Sequence, residues 1–335
     1  WLQDSGAHWV LALLAAAGTG LFYALCLNLR FSPDLALLGW ALFGFSAPWM
    51  SQSQNVMAEM IGALALLSSL SAQRGVIPVT TGWAAIAFSF WMHIRYVPMA
   101  FALAVLAALE RAAKKARVIL PLVVVGLSFG LSMLANRLLF GGANPLQNRQ
   151  VSLAELFQPA KILRYSAGIL LDQEFGFFPF AAVFALAPWG LYALWRRDRR
   201  WFWQTLLPSL SYFALVGSFP GWWSAMVPNR FMTCLVPVFC LWTLETWRAW
   251  GPRPLFRILA IYSWAWGLGM AILPWLNYSK ANGENWVLRI VGGKLHHSLT
   301  PYFPSFILDT PISYVWLAAL TVLGLVGWKR LGPPR

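Results

Sequence analysis

A few charged residues of this chain stand inside or beside long apolar runs, where their types and spacing suit chemistry on a phosphate-linked group. Glu59 lies in SQSQNVMAEMIGALALL, one turn into an apolar segment and preceded by Ser51, Gln52, Gln54 and Asn55. Asn55 and Glu59 are four apart and share a helix face. His93 and Arg95 lie in FSFWMHIRYVPMAF, between two apolar halves, with Pro98 poised to break the helix. Asp172 and Glu174 lie in LLDQEFGFFPFAAVF, and Arg230 in GWWSAMVPNRFMTCLVPVF beside Trp222 and Trp223. A carboxylate can act as acid or base on a hydroxyl, and guanidiniums can take the charge of a departing phosphate.

Each residue also has a plainer reading. Glu59 can be a first-turn carboxylate favoured by the helix dipole. Arg95 at a hairpin tip can snorkel to the surface, although its planar fork also suits phosphate. Asp172 and Glu174 can cap the helix that Gly176 and Pro179 introduce. Arg230 opens a helix after Pro228–Asn229, where a cation opposes the dipole and calls for an anion. Trp222 and Trp223 can stack on a sugar or pack at an interface. His296 and His297 are adjacent, point apart on a helix, and have no carboxylate cluster nearby, so the pair is not expected to hold a metal. Asn277-Tyr278-Ser279 matches a glycosylation acceptor but abuts an apolar span.

The elements that must hold these residues follow from composition. The chain is 59% hydrophobic and 11% charged, with mean hydropathy +0.61; a soluble domain carries about 25% charged residues, so a water-facing surface cannot be built from this one. Basic residues cluster at alternate junctions between apolar runs: Arg30; Arg74; Arg111, Lys114, Lys115 and Arg117; Arg196, Arg197, Arg199 and Arg200; Arg248, Arg253 and Arg257; Lys329, Arg330 and Arg335. That alternation is the positive-inside signature of a polytopic membrane protein. The net charge of +14 is then the basic edge facing anionic headgroups, not a nucleic-acid footprint. Many of the 21 Trp residues lie near span ends, as an interfacial belt requires. Cys26, Cys234 and Cys240 sit in apolar runs without metal-ligand spacing.

The predicted fold class is all-α, a polytopic transmembrane bundle forming one domain over 1–335. About eleven spans are expected, at 9–29, 35–50, 56–72, 78–92, 96–110, 118–140, 177–196, 202–218, 231–248, 256–276 and 312–328. Several are short enough to be broken or half-inserted. The long loops 141–176 and 277–311 fall on the outer side, with an amphipathic helix expected over 151–166. The chain opens at Trp1, without Met and on the predicted outer side, so a preceding helix and external loop are expected upstream.

Three passages carry a family resemblance: SAPWMSQSQNVMAEMIGALALL, an acid-bearing helix start after a small-residue and Pro segment; LLDQEFGFFPFAAVFALAPWGLYALWRRDRR, a loop–helix–basic-turn passage; and PGWWSAMVPNRFMTCLVPVF, a Trp/Gly loop leading to an Arg-Phe helix start. Together they resemble the polytopic GT-C glycosyltransferases, in particular bacterial mannosyltransferase-like members that use polyprenyl-phosphate sugars. The resemblance implies a GT-C-like bundle in the plasma membrane, transferring sugar at its outer face to a lipid, glycan or protein acceptor. It implies Glu59 as a cavity acid and Arg95 and Arg230 as donor-phosphate ligands. The family's first-loop acid would precede Trp1, and Asp4 lies at the wrong end of that loop to replace it. Asp172 and Glu174 are further acid/base candidates, with Gln54, Asn55, Trp222 and Trp223 lining the substrate. No cofactor is expected, and the sequence leaves a divalent metal open. The alternatives are a transporter or flippase of a lipid-linked glycan, a ligase that moves a whole glycan, and a non-catalytic membrane subunit. No repeat of the kind common in transporters stands out, and no Gly-rich nucleotide loop faces the inner side.

The topology is directly testable. Cysteines introduced as Ala160→Cys and Asn285→Cys should react with an impermeant thiol reagent from outside, while Lys114→Cys and Asp198→Cys should not. Labelling at position 114 from outside would overturn the orientation.

Overall fold

A computed structural model describes residues 2–53, 58–113, 119–141, 158–219, 230–251, 253–273, 276 and 283–331. Among them the regular structure is helical, with no strand. In chain order the helices are α1 (Leu2–Asn28), α2 (Pro33–Gly44), α3 (Ala47–Gln52), α4 (Glu59–Gln73), α5 (Val79–Met92), α6 (Val97–Ala113), α7 (Leu120–Phe140), α8 (Pro159–Leu171), α9 (Phe177–Phe180), α10 (Ala187–Arg197), α11 (Arg199–Gly217), α12 (Val236–Trp250), α13 (Pro254–Ile272), α14 (Trp286–Lys294) and α15 (Pro311–Leu331). Short 3-10 turns at Ile94–Tyr96, Ala182–Leu186 and Arg230–Leu235 lead into α6, α10 and α12.

Proline sets many of these boundaries. It stands in the first turn of α2, α3, α7, α8, α10, α12 and α13. There its missing N–H costs nothing and its fixed φ suits the helix, and the residues just before Pro33, Pro159 and Pro254 are extended. Apolar runs that read as single spans are therefore cut. The run 35–50 becomes α2 and α3, joined at Phe45–Ser46 ahead of Pro48. The run 177–196 becomes α9, a 3-10 turn and α10, and 231–248 becomes a 3-10 turn followed by α12. Among the described residues three helices are long and apolar enough to cross a membrane: Gly6–Asn28, Leu120–Leu139 and Pro254–Ile272. Three shorter ones, Pro33–Gly44, Val79–Met92 and Pro311–Val322, are apolar but fall below that length. Of the amphipathic helix read over 151–166, residues 159–166 are helical as part of α8; residues 151–157 lie outside the described residues. Tyr165, Ala167 and Ile169 of α8 are buried, and the helix packs against α11.

The core runs through the middle of the bundle. Phe22, Phe43 and Trp49 form an aromatic column, with Phe43 and Trp49 ring centroids 4.3 Å apart. The pairs α4–α5, α1–α2, α6–α11, α3–α13 and α10–α12 pack directly. In the last, Gly190 lies against the Trp242 carbonyl, and a Cβ there would overlap that oxygen. At the periphery, α7 turns Leu127, Leu131, Leu134 and Leu138 outward, all more than half exposed. A continuous apolar stripe of this kind suits lipid or a partner rather than water.

Helix direction divides the bundle into two ends. α4 begins at Glu59 and ends beside Arg74; α6 follows Arg95 and carries Arg111 in its last turn; α12 follows Arg230 and carries Arg248 in its last turn. At about 1.5 Å per residue, roughly 20 Å separates the Glu59 end from the basic end.

The Gly190 crossing makes a stability prediction. Gly190→Ala must push α10 from α12 and should lower stability by about 1–3 kcal/mol. Gly126→Ala on α7, where a Cβ meets nothing within 4 Å, should not. Thermal unfolding of both variants in detergent checks this, and equal midpoints would refute the close crossing.

Candidate functional site

At the end of the bundle away from the basic clusters, three helix entries converge on one carboxylate. Glu59 is the first residue of α4, and its side chain is 2% exposed. Arg95 comes from the turn between α5 and α6, and its Nη1 lies 3.0 Å from Glu59 Oε1. Arg230 opens the turn leading into α12, and its Nε lies 3.8 Å from the same oxygen. Residues 36 and 171 positions apart from Glu59 in sequence are thus brought to a single atom.

Aromatic rings frame the cations. Arg95 Cζ lies 5.0 Å from the Phe231 ring centroid and 5.7 Å from that of Tyr96; Arg230 Cζ lies 4.6 Å from Phe231. Phe231 is therefore shared by both guanidiniums, a geometry in which the ring face stabilises cations that have lost water.

Two tyrosines fix the backbone beneath the charges. Tyr96 Oη donates to Ala58 O at 2.9 Å, the residue before Glu59, and Tyr212 Oη donates to Phe231 O at 2.9 Å, the residue after Arg230. Their rings stack at 5.8 Å, inclined by 9°, and both are fully buried. Tyr96 lies against Gly62, where a Cβ would overlap its ring. His93, a catalytic candidate by residue type, accepts the Arg95 N–H on Nδ1 at 3.2 Å and so shapes the Arg95 turn. Sequence reading missed Tyr96 and Tyr212, because a tyrosine in an apolar run looks like any core or interfacial ring. Gln52, fully buried on α3 beside the Arg230 turn, has no hydrogen bond to its side-chain amide among the described residues. Gln54, Asn55, Trp222 and Trp223 lie outside the described residues.

Asp172 and Glu174 make a different structure. Asp172 Oδ1 accepts the N–H groups of Glu174 and Phe175 at 2.9 and 3.1 Å, and Oδ2 accepts those of Phe306 and Ile307 at 2.7 and 3.4 Å. Glu174 Oε2 accepts the Gly283 N–H. Between them, Gln173 N–H donates to Pro304 O at 2.8 Å and Asn285 Nδ2 to Gln173 O at 2.6 Å. The segment 172–174 is a clamp that ties residues 283–307 to the bundle. It ends α8 with a carboxylate rather than capping the following helix. Burial pushes the Asp172 carboxyl up to about 6 against four backbone N–H donors that pull it down. Both of its oxygens are engaged by backbone N–H groups.

His297 Nε2 lies 3.0 Å from Tyr302 Oη. No group of three or more His, Cys, Asp or Glu fit to hold a metal occurs among the described residues. Asn277 lies outside them.

The buried pair predicts strong coupling. Glu59→Gln leaves the guanidiniums without their carboxylate and should cost about 3–5 kcal/mol. Adding Arg95→Met should recover part of that loss. Thermal or denaturant unfolding of the two single variants and the double variant measures the coupling; strictly additive effects would show that the pair does not interact. No family model matches the chain, and no curated protein and no solved structure is significantly similar to it; the chemical reading rests on the geometry itself.

Proposed function

We propose that the chain is a polytopic membrane glycosyltransferase of GT-C-like architecture, with about eleven crossings. It moves a sugar from a polyprenyl-phosphate carrier to an acceptor at the outer face of a bacterial plasma membrane. The observation that carries this reading is the meeting of Arg95 and Arg230 on Glu59 at the end of the bundle opposite the basic clusters. The positive-inside rule puts that end outside. Charged groups at such depth are costly and mark pathways or sites.

The chemistry follows from charge. The acceptor hydroxyl forms a bond to the anomeric carbon, the bond from that carbon to the phosphate oxygen breaks, and polyprenyl phosphate leaves with the electron pair. Arg95 and Arg230 stabilise the charge that grows on the phosphate, an electrostatic contribution available in a site that excludes water. Without donor, Glu59 holds the two guanidiniums in place. A donor phosphate competes for them, and the released carboxylate then accepts the acceptor proton. Asp172 and Glu174 serve by fixing the 283–307 segment.

Turnover measures the reading. In vesicles containing matched amounts of protein, transfer from a labelled polyprenyl-phosphate sugar should fall about 10- to 100-fold in Arg230→Ala, the loss of one charge-assisted phosphate contact. Arg230→Lys should recover part of the rate, since an ammonium cannot grip bidentately. Arg257→Ala, an exposed cation at the basic end, should leave the rate unchanged. Wild-type activity in Arg230→Ala would remove Arg230 from the site, and no transfer by any variant, wild type included, would refute the transferase.

A further inference from the structure

The opposite end of the bundle holds a second charged concavity, of about 600 Å³, lined by Arg30, Arg74, Arg197, Arg199, Asp198 and Asn28 with the Leu29 backbone. Four guanidiniums face one carboxylate there. Three are held in place: Arg74 Nη2 lies 2.9 Å from Asp198 Oδ2 with its Cζ 4.3 Å over the Trp201 ring, Arg197 pairs with the buried Glu245 on α12, and Arg199 Cζ lies 5.0 Å from the Trp195 ring centroid. Partial burial pushes the Asp198 carboxyl up, but the Trp201 N–H and Arg74 outweigh it and hold it below the usual carboxylate range. Arg30 and Arg199 have no carboxylate within ion-pair reach among the described residues. Arg199 is the first residue of α11, where the helix dipole adds to its charge rather than offsetting it.

Arg30 stands at a backbone position that disfavours side chains. Phe31 N–H donates to Cys26 O and Arg30 N–H to Leu27 O, which closes α1 in a Schellman motif with Arg30 at the left-handed position, φ 60°. Glycine is the usual residue there, and any side chain is strained. The chain accepts that strain and gains a fourth guanidinium on the cavity wall.

We propose that this cavity binds a phosphate monoester. Its volume lies within the range of small-ligand sites and exceeds what a bare phosphate fills. Guanidinium forks match phosphate oxygens in pairs. The same chemistry can arrive as a lipid headgroup from the adjoining leaflet or as a free phosphate ester, and two probes that share one headgroup separate these sources. Titration calorimetry of the full chain in detergent, with dioctanoyl phosphatidic acid and with glycerol 3-phosphate, reads both. Binding of the lipid alone assigns the site to a membrane headgroup; binding of both assigns it to the phosphate ester itself.

In either case Arg30→Gly should weaken binding about tenfold or more, while its thermal midpoint stays level or rises because the glycine relieves the αL strain. Arg199→Gln should weaken binding similarly, and Arg257→Ala, an exposed cation outside the cavity, should not. Binding of neither probe to the wild type, or equal affinity in Arg30→Gly and wild type, would overturn the proposal. The site is independent of the transferase reading, so loss of either leaves the other standing.

Discussion

A carboxylate enclosed at 2% exposure is offset here by two guanidiniums brought to it, and the geometry at Glu59 is organised by that pairing. Removing an acid from water costs several kcal/mol, offset here by close guanidinium contact. The contact demands that α4, the Arg95 turn and the Arg230 turn meet within about 4 Å, although they are far apart in sequence. Tyr96 and Tyr212 make the meeting rigid by binding the backbone on either side of the charges. Gly62 makes room for the Tyr96 ring, and Phe231 lies against both guanidiniums.

Much of the candidate site was legible because charge is rare in this sequence. Glu59, Arg95 and Arg230 stand out from apolar surroundings, and the alternation of basic junctions assigns them to one side. Nothing in their spacing announces a common contact, since that depends on how three helix entries pack. Asp172 and Glu174 looked like an acid/base pair for the same reason of rarity. Besides the local N–H groups of Glu174 and Phe175, their partners lie more than 100 residues downstream, at Gly283 and Phe306–Ile307, and no local pattern points there. Tyr96 and Tyr212 were invisible as positioning groups, because their hydroxyls act on backbone carbonyls, which every residue has.

Helicity was legible from composition and apolar runs, while helix boundaries were less so. A hydropathy run records how long the chain stays apolar, not whether its backbone stays α-helical. Pro48, Pro179, Pro188 and Pro237 interrupt the backbone without interrupting the apolar run. The 3-10 turns so created are not incidental to the site. Arg95 and Arg230 both stand in such turns, whose tighter winding sets where a first-turn side chain points.

The direction of the helices then gives the two ends different electrical characters. α4, α6 and α12 all start at the Glu59 end, so the positive poles of three backbones face the same region that holds Arg95 and Arg230. Glu59 offsets part of that field, and the remainder favours an incoming anion over a cation or a neutral group. At the other end the same three helices present their negative poles, which Arg74, Arg111 and Arg248 meet. Basic residues there are partly consumed by the helices that carry them. Helix α11 begins there instead of ending, with the Asp198 carboxylate capping it and Arg199 as its first residue. A count of charges cannot separate these cases; the sense in which each helix runs past its cation decides whether that cation neutralises a dipole or reinforces one.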